Sequence, residues 1–352
     1  MRLLWISFAL GCTGVSDDDT DEVACPIGSH PDGDACVSTL SGWEEGSPLA
    51  SARDHHVSFV REAGDRAWLF VVGGSTPGGY AADTVQRAEI MSDGNLDAFE
   101  MMDEIPAVML GPGVGVGEHA VVVAGGLNNN GNSIGTSLVG TLSDDGVLSW
   151  AEGPELNSDR YHVAIAVSGD FLYAIGGMHQ SGNSQTVLDT VERASFDGET
   201  LGNFEAMAPL PEARTHHALV AHDGALYLIG GGSNAAASTE IWRSAVASDA
   251  ELGEWEVVGE LPEGRATASA LVFNEQLYVI GGMSSLTGGE VDTVLRANLE
   301  ADGSVGSFEE LPELPQAKAH CHQAPLHNGV LYSAGGSIEH HNQDEVYIGR
   351  LE

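Results

Sequence analysis

Positive charge is what this chain lacks most. Its 352 residues hold 13 Lys+Arg against 52 Asp+Glu, a formal net charge of −39. Lys318 is the single lysine; the other cations are arginines. A field of that sign repels nucleic-acid phosphates and anionic lipid headgroups, which excludes both as general partners. Long apolar runs are missing too: Leu3 to Leu10, behind Met1-Arg2, falls far short of the roughly 20 residues a membrane-crossing helix needs. Cysteine is scarce, with only Cys12, Cys25, Cys36 and Cys321. No Walker motif, nucleophile elbow or zinc-protease motif occurs.

Glycine, by contrast, is abundant at 46 residues, and 42% of the chain is hydrophobic. That balance fits many short strands joined by glycine-rich turns, an all-β chain rather than a disordered one. The acidity reads as a solvated, aggregation-resistant surface.

The first residues stand apart. Residues 1–11 read as a signal peptide, with a positive start and a short apolar stretch. Ala9-Leu10-Gly11-Cys12 resembles the lipobox of bacterial lipoproteins, which implies a lipid on Cys12 as the first residue of the mature chain. Residues 12–24, with Ser16-Asp17-Asp18-Asp19-Thr20-Asp21-Glu22, read as an acidic, disordered tether. Export permits a disulfide between Cys25 and Cys36, closing a small turn-rich loop over 25–37 and leaving Cys321 as the odd thiol. The expected location is outside the cytoplasm, as a bacterial membrane-anchored lipoprotein or a secreted protein. Contact with the membrane would run only through the lipid.

Internal repetition decides the fold. An apolar strand ending in a double glycine recurs at Gly73-Gly74, Gly125-Gly126, Gly176-Gly177, Gly230-Gly231, Gly281-Gly282 and Gly335-Gly336. By subtraction the first glycines step by 52, 51, 54, 51 and 54 residues. An aromatic follows each of the first five pairs: Phe99, Trp150, Phe204, Trp255 and Phe308. The sixth aromatic is missing at the C-terminal end, while Ser41-Gly42-Trp43-Glu44-Glu45 lies unclaimed near the other. Residues 38–352 therefore resemble the kelch-repeat family, whose period is about 50 residues. The resemblance implies a six-bladed β-propeller with four-stranded blades, the last closed by an N-terminal strand. The aromatics then serve as packing between blades.

Function is written less plainly. Neighbouring strands in a blade alternate in direction, so the connections into first strands and those from second to third strands share one face. The first set carries Arg53, Arg160, Arg214, Arg265 and Lys318, with Met109 in the second repeat. Two residues later come His55, His162, His216 and His320, with Thr267 in the fifth repeat. The second set adds His179, His340 and His341; with His56, His217 and His322, ten of the 14 histidines reach this face. In kelch adaptors that capture acidic peptide loops, arginines entering the first strand line the pocket, and Arg53, Arg160, Arg214 and Arg265 match that position. The competing reading has each arginine paired with an acid of a neighbouring blade. Arg87, Arg193, Arg243 and Arg296 recur on third strands and read as structural, with stems laid over outer-strand aromatics.

His320-Cys321-His322 is the densest local cluster. On a strand its imidazoles face one way and the thiol the other, so neither metal nor cofactor is expected. The reading that follows is a monomeric, surface-anchored binding scaffold. It recognises an anionic glycan or an acidic protein segment through Arg53, His55, Arg160, His162, Arg214, His216, Arg265, Lys318 and His320. Imidazoles titrating near their usual pKa of about 6.5 would strengthen binding as pH falls toward 6. The alternative is a propeller enzyme acting on carbohydrate, of the sugar-isomerase or copper-oxidase type. Tyr80 and Tyr161 lie near the face, but the copper-ligand spacing is not matched.

Overall fold

A computed structural model describes residues 25–32, 35–233 and 235–352. The signal peptide, Cys12 and the acidic tether lie outside the described residues. Cys25 and Cys36 are bridged by a disulfide, in a loop carrying the hairpin His30–Asp32 and Ala35–Val37.

Six four-stranded antiparallel sheets form the blades of a propeller. Blade 4 shows the pattern, running Ala218–His222, Ala225–Ile229, Glu240–Ala245 and Glu256–Glu260 from the axis outward. Its second strand is buried at every residue, and the second strands of blades 2 and 6, Ala120–Ala124 and Val330–Ala334, repeat this. Each is sandwiched between two neighbouring blades. A strand covered on both faces needs a continuous apolar run, as Ala225-Leu226-Tyr227-Leu228-Ile229 supplies.

The last blade is completed from the other end of the chain. Leu40–Glu45 pairs with Val346–Leu351, placing Trp43 opposite Gly349. A Cβ on Gly349 would lie 2.9 Å from the Trp43 ring, so glycine lets the indole lie flat on the sheet. The indole N–H donates to the carbonyl of Pro312 at 3.0 Å, reaching blade 5.

Six hydrophobic clusters occupy the six blade interfaces. Leu69 and Ile90 meet Tyr332 and Ile348 between blades 1 and 6, and Phe70 and Val72 meet Val121 and Val123 between blades 1 and 2. Phe99, Trp150, Phe204, Trp255, Phe308 and Trp43 each join one such cluster. At the rim, strand-borne groups reach the next blade's turn. Tyr173 donates to the Ala250 carbonyl at 2.9 Å and Tyr332 to that of Gly94 at 2.8 Å. Arg87, Arg193 and Arg243 lie over second-strand aromatics, Trp68, Phe171 and Tyr227, rather than outer-strand ones.

The double glycines link blade to blade. In every repeat the second glycine donates its N–H to a carbonyl of the following blade. Gly74 reaches Met109, Gly126 Arg160, Gly177 Arg214, Gly231 Arg265 and Gly282 Lys318, at 2.7 to 3.0 Å. The first glycine permits the approach: a Cβ on Gly230 would sit 2.2 Å from the Arg265 carbonyl oxygen, and φ there is +62°.

Candidate functional site

The recurring cations lie beneath the face. Arg53, Arg160, Arg214, Arg265 and Lys318 are 0%, 0%, 1%, 3% and 2% exposed. Arg53 donates to the carbonyls of Gly73 and Thr84, at 3.0 and 3.2 Å, and to the Thr84 hydroxyl. Arg160 repeats this on Gly176 and Thr190 and also pairs with the buried Glu192. Arg214 binds the Gly230 carbonyl and Glu240, Arg265 binds the Thr293 hydroxyl, and Lys318 donates to the Ser333 carbonyl at 2.9 Å. Arg53, Arg160 and Arg214 thus each hold the end of the second strand of their own blade to the start of the third. The expectation that Arg53, Arg160, Arg214, Arg265 and Lys318 present charge to a ligand is corrected by this burial. Burial also lowers the pKa of Arg53 to about 10 and depresses that of Lys318.

Two residues beyond each cation, and beyond Met109 in blade 2, the backbone turns left-handed. The φ values are +53° at His55, +66° at Gly111, +51° at His162, +56° at His216, +53° at Thr267 and +57° at His320. These six residues ring the axis. The amide of His55 donates to the His320 carbonyl at 3.0 Å, Gly111 to His55 at 2.8 Å, His162 to Gly111 at 2.7 Å and Thr267 to His216 at 2.7 Å. The ring narrows the mouth of the central channel and turns the imidazoles toward one another.

The histidines come together as the sequence suggested. His55 stacks on His320 and His162 on His216, with centroids 3.9 Å apart in both pairs. His55 and His162 join the two stacks at 5.1 Å. His322, left out of the expected set, completes the cluster 5.5 Å from His162 and 5.9 Å from His320. Its sequence signal was the odd pattern His320-Cys321-His322, read above as a strand. Both histidines instead adopt positive φ, so the alternation argument does not apply.

Burial sets their chemistry. Desolvation, reinforced by neighbouring imidazoles, holds His162, His320 and His322 well below the usual imidazole pKa and His216 at about 3. The direction of these shifts runs against the expectation that the rings titrate near their usual value. Asp54 accepts a hydrogen bond from His55 Nδ1 at 2.7 Å. Cys321 is buried, and desolvation raises its thiol pKa. Among the described residues, no group of three or more His, Cys, Asp or Glu side chains is arranged to hold a metal ion.

Below the mouth a cavity of about 70 Å³ is lined by His162, His217, His322 and Gln323, among others. Both ring nitrogens of His217, Nδ1 of His162 and Nε2 of His322 have no protein partner. Such a volume holds about two waters at roughly 30 Å³ each, and unpaired imidazoles suit them. A larger cleft of about 410 Å³ opens on the same face, lined by Asp54, Ser75, Pro77, Gly78, Gly79, His340, His341 and Asn342.

No family model matches the chain. It is 28% identical to Kelch-like protein 40 of Xenopus laevis over 238 residues, 66% of this chain and 36% of that protein. It is 30% identical to Kelch repeat and BTB domain-containing protein 12 of Danio rerio over 142 residues, 38% and 22% respectively. Kelch domain-containing protein SSO1033 of Saccharolobus solfataricus is 37% identical over 83 residues, 24% of this chain and 10% of that one. The chain thus spans well under half the length of these relatives. Among solved structures, that of YjhT superposes with a TM-score of 0.66 at 12% identity, covering 87% of this chain and 99% of that chain. At that identity the likeness speaks for the fold alone. Six glycine-linked blades make the fold a β-propeller, and in sequence the chain is similar to these kelch-repeat proteins.

Proposed function

We propose that this chain is an exported, monomeric binding scaffold, anchored by a lipid on Cys12, that takes an anionic glycan or acidic protein segment on its histidine-bearing face. A kelch propeller suggests a binding scaffold in the first place. The Cys25–Cys36 bridge supports an oxidising compartment. The observation that carries the reading is the convergence of five imidazoles at the axis, each on left-handed backbone. Such backbone costs of order 1–3 kcal/mol at a non-glycine residue, and it clusters at functional sites.

With the five cations buried, these imidazoles are the groups left to meet an anion. They do so by taking up protons as it arrives, so anion binding and proton binding are linked. Affinity then rises as pH falls, and keeps rising well below pH 6 because His216 without an anion has a pKa of about 3. The test is a screen of sulfated glycans and acidic peptides at pH 7.5 and 5, on the wild type beside His55→Asn/His216→Asn. Asparagine tolerates the left-handed backbone, so this variant removes the imidazoles and keeps the turn. Capture that strengthens in acid and disappears in the variant supports the reading; equal capture by both proteins overturns it.

A carbohydrate-directed enzyme is the second reading, and Asp54–His55 favours it. This carboxylate-bound imidazole is the acid–base pair a sugar isomerase would require. Solvent deuterium entering a reducing sugar, and ceasing with Asp54→Asn, would establish it.

A further inference from the structure

The loops joining second to third strands form a crown around the mouth, and their composition is unlike the rest of the chain. Their central stretches are residues 75–82, 127–135, 178–188, 232–239, 283–290 and 337–343, with Asp83, Asp189, Asp292, Asp344 and Glu345 between these and the strands. Charged residues make up 18% of the sequence, yet Glu290 and Glu339 are the only Asp, Glu, Lys or Arg in these six central stretches. In their place stand Asn, Gln, Ser, Thr, Gly and His, with one strongly exposed aromatic, Tyr80, at 67%. On a body of charge −39, central stretches so poor in like charge are not explained by solubility.

The crown is also tied together across blades. Asn129 Oδ1 accepts the Ala81 amide at 2.9 Å, linking blade 2 to blade 1. Ser133 and Gln180 exchange two bonds between blades 2 and 3, and Asn132 Oδ1 accepts the Gly182 amide at 2.9 Å. The Leu286 amide donates to the Ala235 carbonyl between blades 5 and 4, and Asn342 Nδ2 to the Ser75 carbonyl between blades 6 and 1. Loops so cross-linked lose little freedom when a ligand binds.

We propose that this crown is a carbohydrate-binding surface for an uncharged glycan chain, centred on the 410 Å³ cleft between the loops of blades 6 and 1. Amides and hydroxyls both donate and accept, which matches the vicinal hydroxyls of a pyranose. Tyr80, exposed beside Gly78 at the edge of the cleft, supplies an aromatic ring for the apolar side of a sugar. A protein partner would call for the arginine and apolar anchors that dominate protein interfaces, and the crown has no arginine. A neutral glycan is also untouched by the repulsion that the acidic body exerts on anions. The inference goes beyond the anion reading and does not need the histidine mouth.

The experiment titrates the whole propeller with four neutral glycans, dextran, laminarin, mannan and cellohexaose, and with dextran sulfate, by affinity electrophoresis and calorimetry. It is run in 0.05 M and 0.5 M salt at pH 7.5. The proposal expects binding to at least one of the four that is unchanged by salt. It expects about a tenfold loss in Tyr80→Ala and in His341→Ala, the scale of one lost contact. Val257→Ser, on the outer strand of blade 4, should bind as the wild type does. Circular dichroism melting confirms that each variant is folded. Binding of none of the four glycans overturns the proposal, as does binding that Tyr80→Ala and His341→Ala leave intact. Capture of sulfated glycans alone, abolished by salt, overturns it while leaving the mouth reading standing.

Discussion

The amide of Gly336 donates to the carbonyl of Arg53 at 2.9 Å, tying the last blade to the first. It is the sixth member of the series that links every other pair of adjacent blades. A Cβ on Gly335, where φ is +58°, would lie 2.7 Å from that same carbonyl oxygen. Gly335→Ala should therefore cost about 1–3 kcal/mol, through both backbone strain and the forced separation of blades 6 and 1. Urea unfolding checks this. A loss near zero would mean that the contact tolerates a methyl group.

Closure by the N-terminal strand gives a second expectation. Removing residues 38–45 uncovers the edge of Val346–Leu351 and leaves Leu351 and Tyr347 without their cover from Leu40 and Trp43. The truncated propeller should melt earlier and less cooperatively in calorimetry. An unchanged transition would contradict a closing role for Leu40–Glu45.

Arg160 tests the structural role of the buried cations. Arg160→Met should lose about 3–5 kcal/mol, because Glu192, 2% exposed on its side chain, would lose its counter-ion and keep only the Asn157 and Ser158 amides. Arg160→Met/Glu192→Leu should recover much of that loss. Recovery is the informative outcome, since an arginine that served ligand capture alone would show no coupling to Glu192.

The repetition of glycines and aromatics made the fold legible, because both mark backbone positions where geometry leaves little choice. The site was legible in part. His55, His162, His216 and His320 were found from their spacing and do converge. The arginine series misled, because a repeat period fixes a residue's place in the blade but not whether its side chain turns inward. Met109 was the available clue: a fully buried methionine fills the same position in blade 2, so the position is interior. The crown's lack of charge was equally present in the sequence. It becomes visible only once the six loops are known to share a face.

Stability should depend on pH in a defined direction. His56, His216 and His217 have pKa values of about 3 in the folded chain, lowered chiefly by desolvation, against about 6.5 when unfolded. Between those values the unfolded chain binds protons that the folded chain refuses. Stability is therefore full above about pH 6.5 and lost as pH falls toward 3, by up to about 1.4 kcal/mol per pH unit per histidine. Urea unfolding between pH 7 and 5, above the range of most carboxylates, should show this slope, reduced by one proton in His217→Gln. A flat profile would mean that these rings take up protons alike in the folded and unfolded chain.

The central claim is that ligands are taken on the histidine-bearing face, and hydrogen exchange with and without a saturating sulfated glycan at pH 5 tests it most directly. The account predicts slowed exchange in peptides covering residues 53–56, 160–163, 214–217 and 318–323, with the opposite turns unaffected. Protection confined to the turns at 64–65, 118–119, 223–224 and 328–329 would contradict it.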